Sequence, residues 1–413
     1  MFEIFLISLA ILALLSIVFE EVTHVNKAKT TLFFGCISWM CLFIANTDSP
    51  HTITHHLEEN LLEIATLWLF LMSTMTFVAY LNAKGIIQMA VQRLFPRRAS
   101  VKTLMFLVGG FSLVLSAICD NVTATLVSLA LIQSLTLDVK TKRKMAVLSI
   151  FAVNSGGVAL ITGDVTTLMI FLDGHVEMGQ LITLFIPATI SVLFLAGIFS
   201  LRVSGEITTT PVKTSYERVD LVIATIFFST ILSTMILNML YSIPPVLTFL
   251  TGLSFMFLVG RLYHSDKEEK KILEYIREIE YDTLLFFLGI LLLVGMLKEV
   301  GILTLVTETY AKFNPDLSNY AAGIGSALLD NVPLTAALLK AQPTLTTAQW
   351  LGLTYAVGVG GSLLVIGSAA GIIAMSKMKE LSFISYMRYI PALLLAYTLG
   401  YYITIFMAKQ LYL

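Results

Sequence analysis

The chain has 413 residues, of which 57% are hydrophobic and only 13% are charged, and its net charge is −1 at pH 7. Soluble domains carry about 25% charged residues, so a large soluble domain is excluded, and the absence of a basic cluster argues against a nucleic-acid partner. Apolar runs of about 17–23 residues are long enough to cross a bilayer as helices. The composition therefore predicts an all-α polytopic membrane protein.

The apolar runs predict ten membrane-spanning helices and two re-entrant helical hairpins. In chain order the predicted spans are 3–20, 29–46, 61–81, 143–173, 179–201, 218–240, 244–262, 282–297, 347–376 and 386–408. The hairpins are predicted at 102–137 and 315–341, because Asp-Asn interrupts each of these stretches and each half looks too short to cross about 30 Å of hydrocarbon. Irregular backbone at that depth has to be shielded by protein or line a cavity.

Basic residues predict how these helices are oriented. Lys and Arg follow every odd-numbered span and flank the first hairpin, so the face that they share, which includes Lys27 and Lys29, is predicted to be cytoplasmic. Both termini are then outside, where His51, His55 and His56 are expected in a solvated loop. Helix parity puts the second hairpin on the outer side, so the two hairpins enter from opposite faces, as in inverted-topology repeats.

An internal repeat is visible in the letters as well. Gly156 and Gly360, Gly163 and Gly367, and Pro187 and Pro391 each lie 204 residues apart. An ordered series of matches at one offset is typical of a duplicated unit. The first repeat is assigned to 1–201 and the second to 218–413, joined by a cytoplasmic linker at 202–217, and each repeat has five transmembrane helices and one hairpin.

Asp120 and Asp330 mark the hairpin tips. An aspartate that deep in a membrane is costly unless it faces a partner, an ion or water, so each is a candidate functional residue. Carboxylate oxygens and the free carbonyl groups of a broken helix suit Na⁺, Li⁺ or H⁺, and Asn121, Thr123 and Asn331 would add neutral oxygens. Alternatively, each aspartate only caps the helix that follows it, and the two roles are compatible.

Two glycine-containing segments predict interruptions within the spans 143–173 and 347–376. Paired glycines weaken a helix, although tight packing of small residues would explain them equally well. Polar residues after each segment favour unwound, oxygen-lined stretches that face the tips. The candidate cation- and proton-binding residues are Asn154, Ser155, Gly156, Gly157, Thr162, Asp164 and Thr166 in the first repeat and Gly360, Gly361, Ser362 and Ser368 in the second.

Asp164 has no acidic counterpart, because Ser368 takes the equivalent position. A buried carboxylate binds either H⁺ or Na⁺, and this competition suffices for exchange if the site opens to alternate sides. Na⁺ is accordingly expected at Asp120, Asn121 and Asp164. Asp120 and Asp164 would titrate as a coupled pair, and the release of two protons for one Na⁺ would make the exchange electrogenic.

These residues give the chain a resemblance to the NhaD-type Na⁺/H⁺ antiporters of the ion transporter superfamily over nearly its whole length. The motifs are Cys119-Asp120-Asn121, Asn154-Ser155-Gly156-Gly157, Thr162-Gly163-Asp164, Leu329-Asp330-Asn331-Val332-Pro333 and Gly360-Gly361-Ser362. The resemblance implies exchange of Na⁺ or Li⁺ for H⁺ across the bacterial cytoplasmic (inner) membrane, without a cofactor, by a homodimer in the lipid bilayer.

The resemblance also implies an elevator-type fold. A scaffold at about 3–81 and 218–297 would dimerise, and a transport domain at about 102–201 and 315–408 would move against it. The same superfamily includes arsenite-type oxyanion permeases and Na⁺-coupled carboxylate symporters. These stay open as alternatives, but acidic hairpin tips suit a cation and disfavour an anionic substrate.

Functions outside the superfamily fit the sequence less well. An intramembrane aspartyl protease uses Tyr-Asp and Gly-x-Gly-Asp motifs, whereas Asp120 follows a cysteine and Asp164 follows Ile161-Thr162-Gly163. A passive channel needs a repeated pore-loop filter, which the chain lacks. We therefore expect a secondary transporter and not an enzyme.

Overall fold

The computed structural model describes residues 2–18, 25–45, 50–87, 89, 96, 98–201, 203–208, 217–263 and 274–412. These residues are almost entirely helical, apart from loops and an antiparallel ribbon of β1 (Arg98–Ser100) and β2 (Glu206–Thr208). Within these ranges, eight helices are long and apolar enough to cross a membrane. The chain is therefore a multi-pass membrane protein, as its composition predicts.

The chain contains two helical hairpins, over residues 101–134 and 315–341, among otherwise successive helices. The helices up to residue 200 are α1 (Phe2–Val18), α2 (Lys27–Ala45), α3 (Pro50–Ala83), α4 (Val101–Ile118), α5 (Asn121–Ser134), α6 (Val139–Gly157), α7 (Val165–Leu172), α8 (Met178–Thr183) and α9 (Phe185–Ser200). Those that follow are α10 (Arg218–Tyr241), α11 (Pro245–Tyr263), α12 (Tyr281–Glu299), α13 (Thr304–Lys312), α14 (Pro315–Leu329), α15 (Asn331–Ala341), α16 (Thr347–Gly360), α17 (Ala369–Lys377), α18 (Phe383–Met387) and α19 (Ile390–Tyr412).

The helices pack in two groups. In the first, α2 runs along α12, α1 and α3 pack against this pair, and α10 and α11 pack against α3 and each other. A Cβ atom at Gly289 of α12 would lie 2.3 Å from the backbone nitrogen of Leu32, so glycine lets α2 and α12 touch backbone to backbone. In the second group, α4 packs on α6 and α9, and α14 packs on α16, which packs on α19. Contact between the groups runs chiefly through α12 and α15.

Each hairpin turns at its Asp-Asn pair. Cys119 and Asp120 separate α4 from α5, and Asp330 alone separates α14 from α15. The expectation that every arm is too short to span is wrong for α4, whose 18 residues are long and apolar enough. At 1.5 Å per residue such a helix is about 27 Å long. It ends at Ile118 because Asp120 begins the next helix with an N-cap.

Three other expectations need correction or fall partly outside the described residues. The histidine-rich segment is not a loop, because α3 is a continuous 34-residue helix from Pro50 to Ala83. Nδ1 of His56 lies 2.6 Å from Oε2 of Glu299 at the end of α12. The helical interruptions begin after the glycine pairs, since α6 continues through Gly157. Residues 202 and 209–216 of the predicted linker lie outside the described ranges.

Candidate cation-binding site

The tips of both hairpins and the interruptions α6–α7 and α16–α17 surround one cavity of about 500 Å³. Seven of the residues that the sequence singles out line this cavity, although they come from distant parts of the chain. They are Asp120, Asn121, Thr162, Asp164, Asp330, Asn331 and Ser368. Polar side chains from both halves therefore face a shared space, which is large enough to hold a hydrated cation.

Asp120 both caps a helix and lines the cavity. Its Oδ1 accepts a hydrogen bond of 2.9 Å from the backbone N–H of Thr123, and its Oδ2 accepts one of 2.9 Å from the Thr123 hydroxyl. The carboxylate is therefore held at the positive end of α5, which stabilises negative charge. Thr123 itself does not line the cavity; its hydroxyl holds the Asp120 carboxylate in place.

Asp330 differs from Asp120 in backbone and in partner. Its φ of +67° lies in a region that residues other than glycine rarely adopt, whereas Asp120 has a φ of −64°. Such a conformation costs on the order of 1–3 kcal/mol and tends to occur at functional sites. The Asp330 carboxylate is only 5% exposed, and its Oδ2 lies 3.1 Å from Nζ of Lys27. The two tips are therefore not chemically equivalent.

Asp164 lies where the two tips come together. It caps α7 by accepting a hydrogen bond of 3.3 Å from the backbone N–H of Thr166, and it is 6% exposed. Its Oδ2 accepts a second hydrogen bond of 3.2 Å from the amide of Asn331, which lies at the tip of the second hairpin. The donors described around this buried carboxylate are neutral, so a cation there would meet an anionic oxygen.

Asn121 reaches the same point from the first hairpin. A Cβ atom at Gly157 would lie 2.9 Å from Oδ1 of Asn121 and 2.9 Å from Cβ of Asp164, so both residues press against this glycine. The Ser116 hydroxyl donates a 2.7 Å hydrogen bond to Oδ1 of Asn121 and fixes the orientation of its amide. Asn121 and Asp164 are therefore held together, as the predicted Na⁺ site requires.

The second interruption repeats the same capping arrangement with a neutral residue. Ser368 caps α17 and accepts a 3.1 Å hydrogen bond from Nδ2 of Asn154. Oδ1 of Asn154 is buried and accepts no hydrogen bond from any residue in the described ranges. The Thr162 hydroxyl donates to the carbonyl of Ala117, at 2.8 Å. The cap of the second interruption is thus a neutral hydroxyl, where the first interruption has the Asp164 carboxylate.

The remaining candidates pack helices instead of lining the cavity. A Cβ atom at Gly156 would lie 2.0 Å from the carbonyl oxygen of Leu113 in α4, and one at Gly360 would lie 2.0 Å from that of Gly323 in α14. Each glycine therefore lets a hairpin arm approach a long helix, which is the packing explanation that the sequence left open. The candidates outside the cavity lining are Thr123, Asn154, Ser155, Gly156, Gly157, Thr166, Gly360, Gly361 and Ser362.

Comparisons with known proteins identify the family. A family model described as "Citrate transporter" matches residues 1–358. The Na⁺/H⁺ antiporter NhaD of Vibrio cholerae serotype O1 is 30% identical over 420 residues, which cover 93% of this chain and 87% of the relative. The chain is an NhaD-type member of the citrate transporter family.

Two further relatives are also named as sodium/proton antiporters. NhaD of Vibrio parahaemolyticus is 31% identical over 90% of this chain and 98% of its own length. Sodium/proton antiporter 2 of Arabidopsis thaliana is 29% identical, over 90% of this chain and 91% of the plant protein. The resemblance of the sequence motifs to NhaD-type antiporters is confirmed, and the relatives are named as transporters, not as enzymes.

The NhaD-type chain also lines its cavity with residues that sequence reasoning missed. They come from α2, α3 and the start of α12, and they include Asn26, Lys27, Leu71, Met75, Glu280, Asp282 and Phe286. Lys27, which the sequence marks only as a basic residue of the predicted cytoplasmic side, therefore also faces the cavity. One signal was available in the sequence: α2 begins with this lysine and has no acidic residue in its first turn, although a cation is disfavoured at that end of a helix.

The carboxylates of this NhaD-type cavity lie at separate points of its wall. In the described ranges, no three His, Cys, Asp or Glu side chains converge on a position that could hold a metal ion. A monovalent cation at one aspartate would therefore need amide, hydroxyl or carbonyl oxygens to complete its coordination. The asparagines at the two tips and the carbonyl groups of the interruptions are the nearest suppliers.

Proposed function

We propose that this protein exchanges Na⁺ for H⁺ across a membrane by alternating access to the cavity between the hairpin tips. The observation that carries the proposal is that Asp120, Asp164 and Asp330 all line one cavity, and that two of them, Asp164 and Asp330, are nearly fully buried. A carboxylate in such a place binds a proton or a cation. The relatives named as Na⁺/H⁺ antiporters support the same conclusion.

We assign the Na⁺ site to the Asp164 side of the cavity, with Asp120 and Asn121. Asn121 and Asp164 flank Gly157 together, and Asp164 meets neutral donors only, so its charge is available to a cation. Li⁺ would use the same oxygens, and H⁺ the same carboxylates. The transported ions are the substrates, and no cofactor takes part in the proposed cycle.

We further propose an elevator-type arrangement of two inverted repeats. The group around α2 and α12 would be the scaffold, and the two hairpins with α6–α9 and α16–α19 would move as the transport domain. Support comes from the separate packing of the two groups and from the order of elements, since in each half a hairpin precedes an interrupted helix. The face rich in Lys and Arg would be cytoplasmic in a bacterial inner membrane, with both termini outside.

We propose that two copies associate through scaffold helices in the bilayer. Helix α10 exposes large apolar side chains, among them Leu232, Ile236, Met239 and Leu240. Such a face suits either lipid or a second copy. Native mass spectrometry of the protein released from lipid nanodiscs would give twice the monomer mass, and a monomer at every lipid-to-protein ratio would contradict the dimer.

A carboxylate symporter is the second candidate, because the matching family model is described as a citrate transporter. The cavity charge argues against it. Five acidic residues line the wall, and Lys27, the basic residue among the described lining residues, is already paired with Asp330. Bringing a polyanion into this cavity would place like charges together in a desolvated site.

The test is exchange in vesicles of defined composition. The purified full-length chain is reconstituted into liposomes that carry an inside-acidic pH gradient, which is followed with a fluorescent dye. Adding Na⁺ or Li⁺ should dissipate the gradient, whereas citrate and arsenite should not. Asp164→Asn and Asp120→Asn should each reduce the initial rate more than about tenfold, the size expected when one charged interaction is lost.

The matched control removes a carboxylate elsewhere. Glu308 lies on the exposed face of α13 and pairs with Lys312 at 3.2 Å, an exposed ion pair of little energetic weight. Glu308→Gln should exchange at the wild-type rate. Full activity in Asp164→Asn would contradict the site, and dissipation by citrate instead of Na⁺ would contradict the function.

A further inference from the structure

Lys27 joins the two groups of helices at the hairpin tip. It is the first residue of α2, which packs along α12, and its ammonium lies 3.1 Å from Oδ2 of Asp330. Asp330 belongs to the second hairpin, in the other group. Both side chains are largely buried, with 19% of the Lys27 side chain and 6% of the Asp330 side chain exposed. This contact is thus a desolvated ion pair between two separately packed parts of the molecule.

The ion pair with Asp330 holds the Lys27 ammonium at the N-terminus of α2, where a positive charge is disfavoured. The N-terminus of a helix carries positive potential and disfavours a cation, and the first turn of α2 has no acidic residue to offset it. The ammonium also lies over the Phe286 ring of α12, whose centroid is 4.5 Å from Nζ. A cation is stabilised by the face of an aromatic ring. This contact with α12 does not depend on the hairpin.

The charges around the cavity are unevenly matched. Asp120, Asp164, Asp330, Glu280 and Asp282 all line it, against Lys27 among the described basic residues. Asp120 and Asp164 receive hydrogen bonds from neutral donors, whereas Asp330 receives the lysine. The Lys27 ammonium thus neutralises Asp330, whereas Asp120 and Asp164 have no cationic partner among the described lining residues.

We propose that Lys27 is a tethered counter-cation of Asp330, and that a Na⁺ ion that binds at Asp330, a second site beside the one assigned to Asp164, must displace it. The inference rests on the proposed cation transport and adds to it a residue with a defined role. In the arrangement described here, Asp330 is occupied by Lys27, so its oxygens become available to Na⁺ only when the ammonium leaves. Displacement also frees the hairpin tip from α2.

The consequence is that cation binding at Asp330 and release of the tip are one event. Asn331, the next residue, donates to Asp164 at 3.2 Å. A tip that moves away from α2 therefore also changes the hydrogen bonding at Asp164. Lys27 is a positioning residue in this scheme, because it acts through the hairpin and never coordinates the transported ion.

The direct test is equilibrium binding of ²²Na⁺ to the purified full-length chain. Lys27→Met keeps the length and apolar stem of the side chain and removes the competing charge. It should bind Na⁺ at least about tenfold more tightly than the wild type, because close charge pairs are coupled by that much or more. Lys27→Arg should resemble the wild type, and Lys29→Met, at an exposed position in the same first turn of α2, should leave the affinity unchanged.

The double variant locates the effect. In Lys27→Met/Asp330→Asn the gain in affinity should disappear, since the carboxylate that Lys27 occupies is gone. Unchanged or weaker Na⁺ binding by a folded Lys27→Met protein would overturn the inference, as would a gain that persists in the double variant. If neither the wild type nor Lys27→Met binds Na⁺, the proposed cation transport itself fails.

A second measurement uses the wild type and does not depend on the folding of any variant. Amine-reactive labelling followed by mass spectrometry compares Lys27 with Lys29 in the same sample. Saturating Na⁺ should raise the labelling of Lys27 severalfold relative to Lys29, and the same concentration of choline should not. Labelling of Lys27 that stays unchanged or falls in Na⁺ would overturn the displacement.

Discussion

The decisive contact at the scale of single residues is the amide of Asn331 on Asp164. This hydrogen bond joins the tip of the second hairpin to the Asp164 carboxylate, which caps α7 in the first half of the chain. Asn121 approaches the same carboxylate from the first hairpin, past Gly157. A cation bound at Asp164 would therefore lie beside residues of both hairpins, and its affinity would depend on the position of each. A site built from one hairpin would not have this dependence.

Asn331→Ala should weaken Na⁺ binding without unfolding the protein. A hydrogen bond to a charged group contributes about 1.5–3 kcal/mol, so the half-saturating Na⁺ concentration for exchange should rise roughly tenfold or more. The measurement is the initial rate of gradient dissipation as a function of Na⁺ concentration.

Asn238→Ala is the matched control for Asn331→Ala. The Asn238 amide donates to the carbonyl of Ile243 at 3.1 Å, beyond the end of α10 and outside the cavity. Its loss should leave the half-saturating concentration unchanged. An equal shift in both variants would mean that the Asn331 effect is not specific to the site.

At the scale of elements, glycine determines how closely each hairpin arm approaches its long helix. Gly156 of α6 faces the backbone of α4, and Gly360 of α16 faces that of α14. Because backbone carbonyls cannot move as a side chain can, a methyl group at either position must push the arm away. The tips at Asp120 and Asp330 would shift with the arms.

Gly156→Ala should lower the free energy of unfolding by about 1–3 kcal/mol, the usual cost of overpacking, and should slow exchange. Thermal denaturation of the purified protein, followed by loss of monodisperse material, measures the first effect. Gly110→Ala is the control, since a Cβ atom there has no heavy atom within 4 Å. A Tm that falls equally in both variants would contradict the packing argument.

Local chemistry explains which elements could be predicted from sequence. The ends of the helices beside Asp120 and Asp330 could be located because an Asp-Asn pair within apolar sequence has few other uses than a cap or an ion ligand. The end of α6 was missed because Gly156 and Gly157 remain helical through their contact with α4 and Asn121, which are tertiary contacts. The helical state of the histidine-rich segment was missed because its polarity suggested a loop, although Glu58, Glu59, Leu61 and Leu62 are good helix formers.

The cavity wall contributed by α2 and α12 could not be predicted for a related reason. Lys27, Glu280 and Asp282 each look like an ordinary charge at a helix end when only the neighbouring residues are considered. Their role appears only when the packing of α2 on α12 turns those helix ends toward the hairpin tips. Charge patterns can orient a membrane helix, but they do not reveal which helix end faces an internal cavity.

At the scale of the whole molecule, the unequal charge of the cavity bears on the stoichiometry of exchange. Two carboxylates, Asp120 and Asp164, lack a cationic partner among the described lining residues. If both release a proton as one Na⁺ binds, each cycle moves net charge. A membrane potential of 100 mV then changes the driving force by about 2.3 kcal/mol per charge.

The rate of exchange should therefore depend on membrane potential. Liposomes clamped with K⁺ and valinomycin at a series of potentials give the initial rate of Na⁺-driven proton flux at each. The rate should change severalfold over the accessible range and in one direction only. A rate that is independent of potential would establish electroneutral exchange and would exclude the release of two protons per Na⁺.

Helix α15, in the second group, forms an ion pair with the first group at each of its ends. At its first end, Asp330 pairs with Lys27 of α2. At its last turn, Lys340 pairs with Glu63 of α3. Both partners belong to the first group of helices, so a shift of α15 relative to that group in either direction separates both pairs. An elevator motion must break both of these pairs, while pairs within one group stay intact.

Cross-linking can separate these two classes of contact. In a background in which Cys36, Cys41 and Cys119 are replaced by serine, Glu63→Cys/Lys340→Cys joined by a short bifunctional thiol reagent should abolish exchange, because it ties α3 to the hairpin that the proposed elevator would move. Asp316→Cys/Lys409→Cys replaces an ion pair between α14 and α19, which lie in the same group, and its cross-linked form should remain active. Reduction should restore exchange if a cleavable reagent is used. Full activity of the cross-linked Glu63→Cys/Lys340→Cys protein would contradict movement of α15 relative to α3.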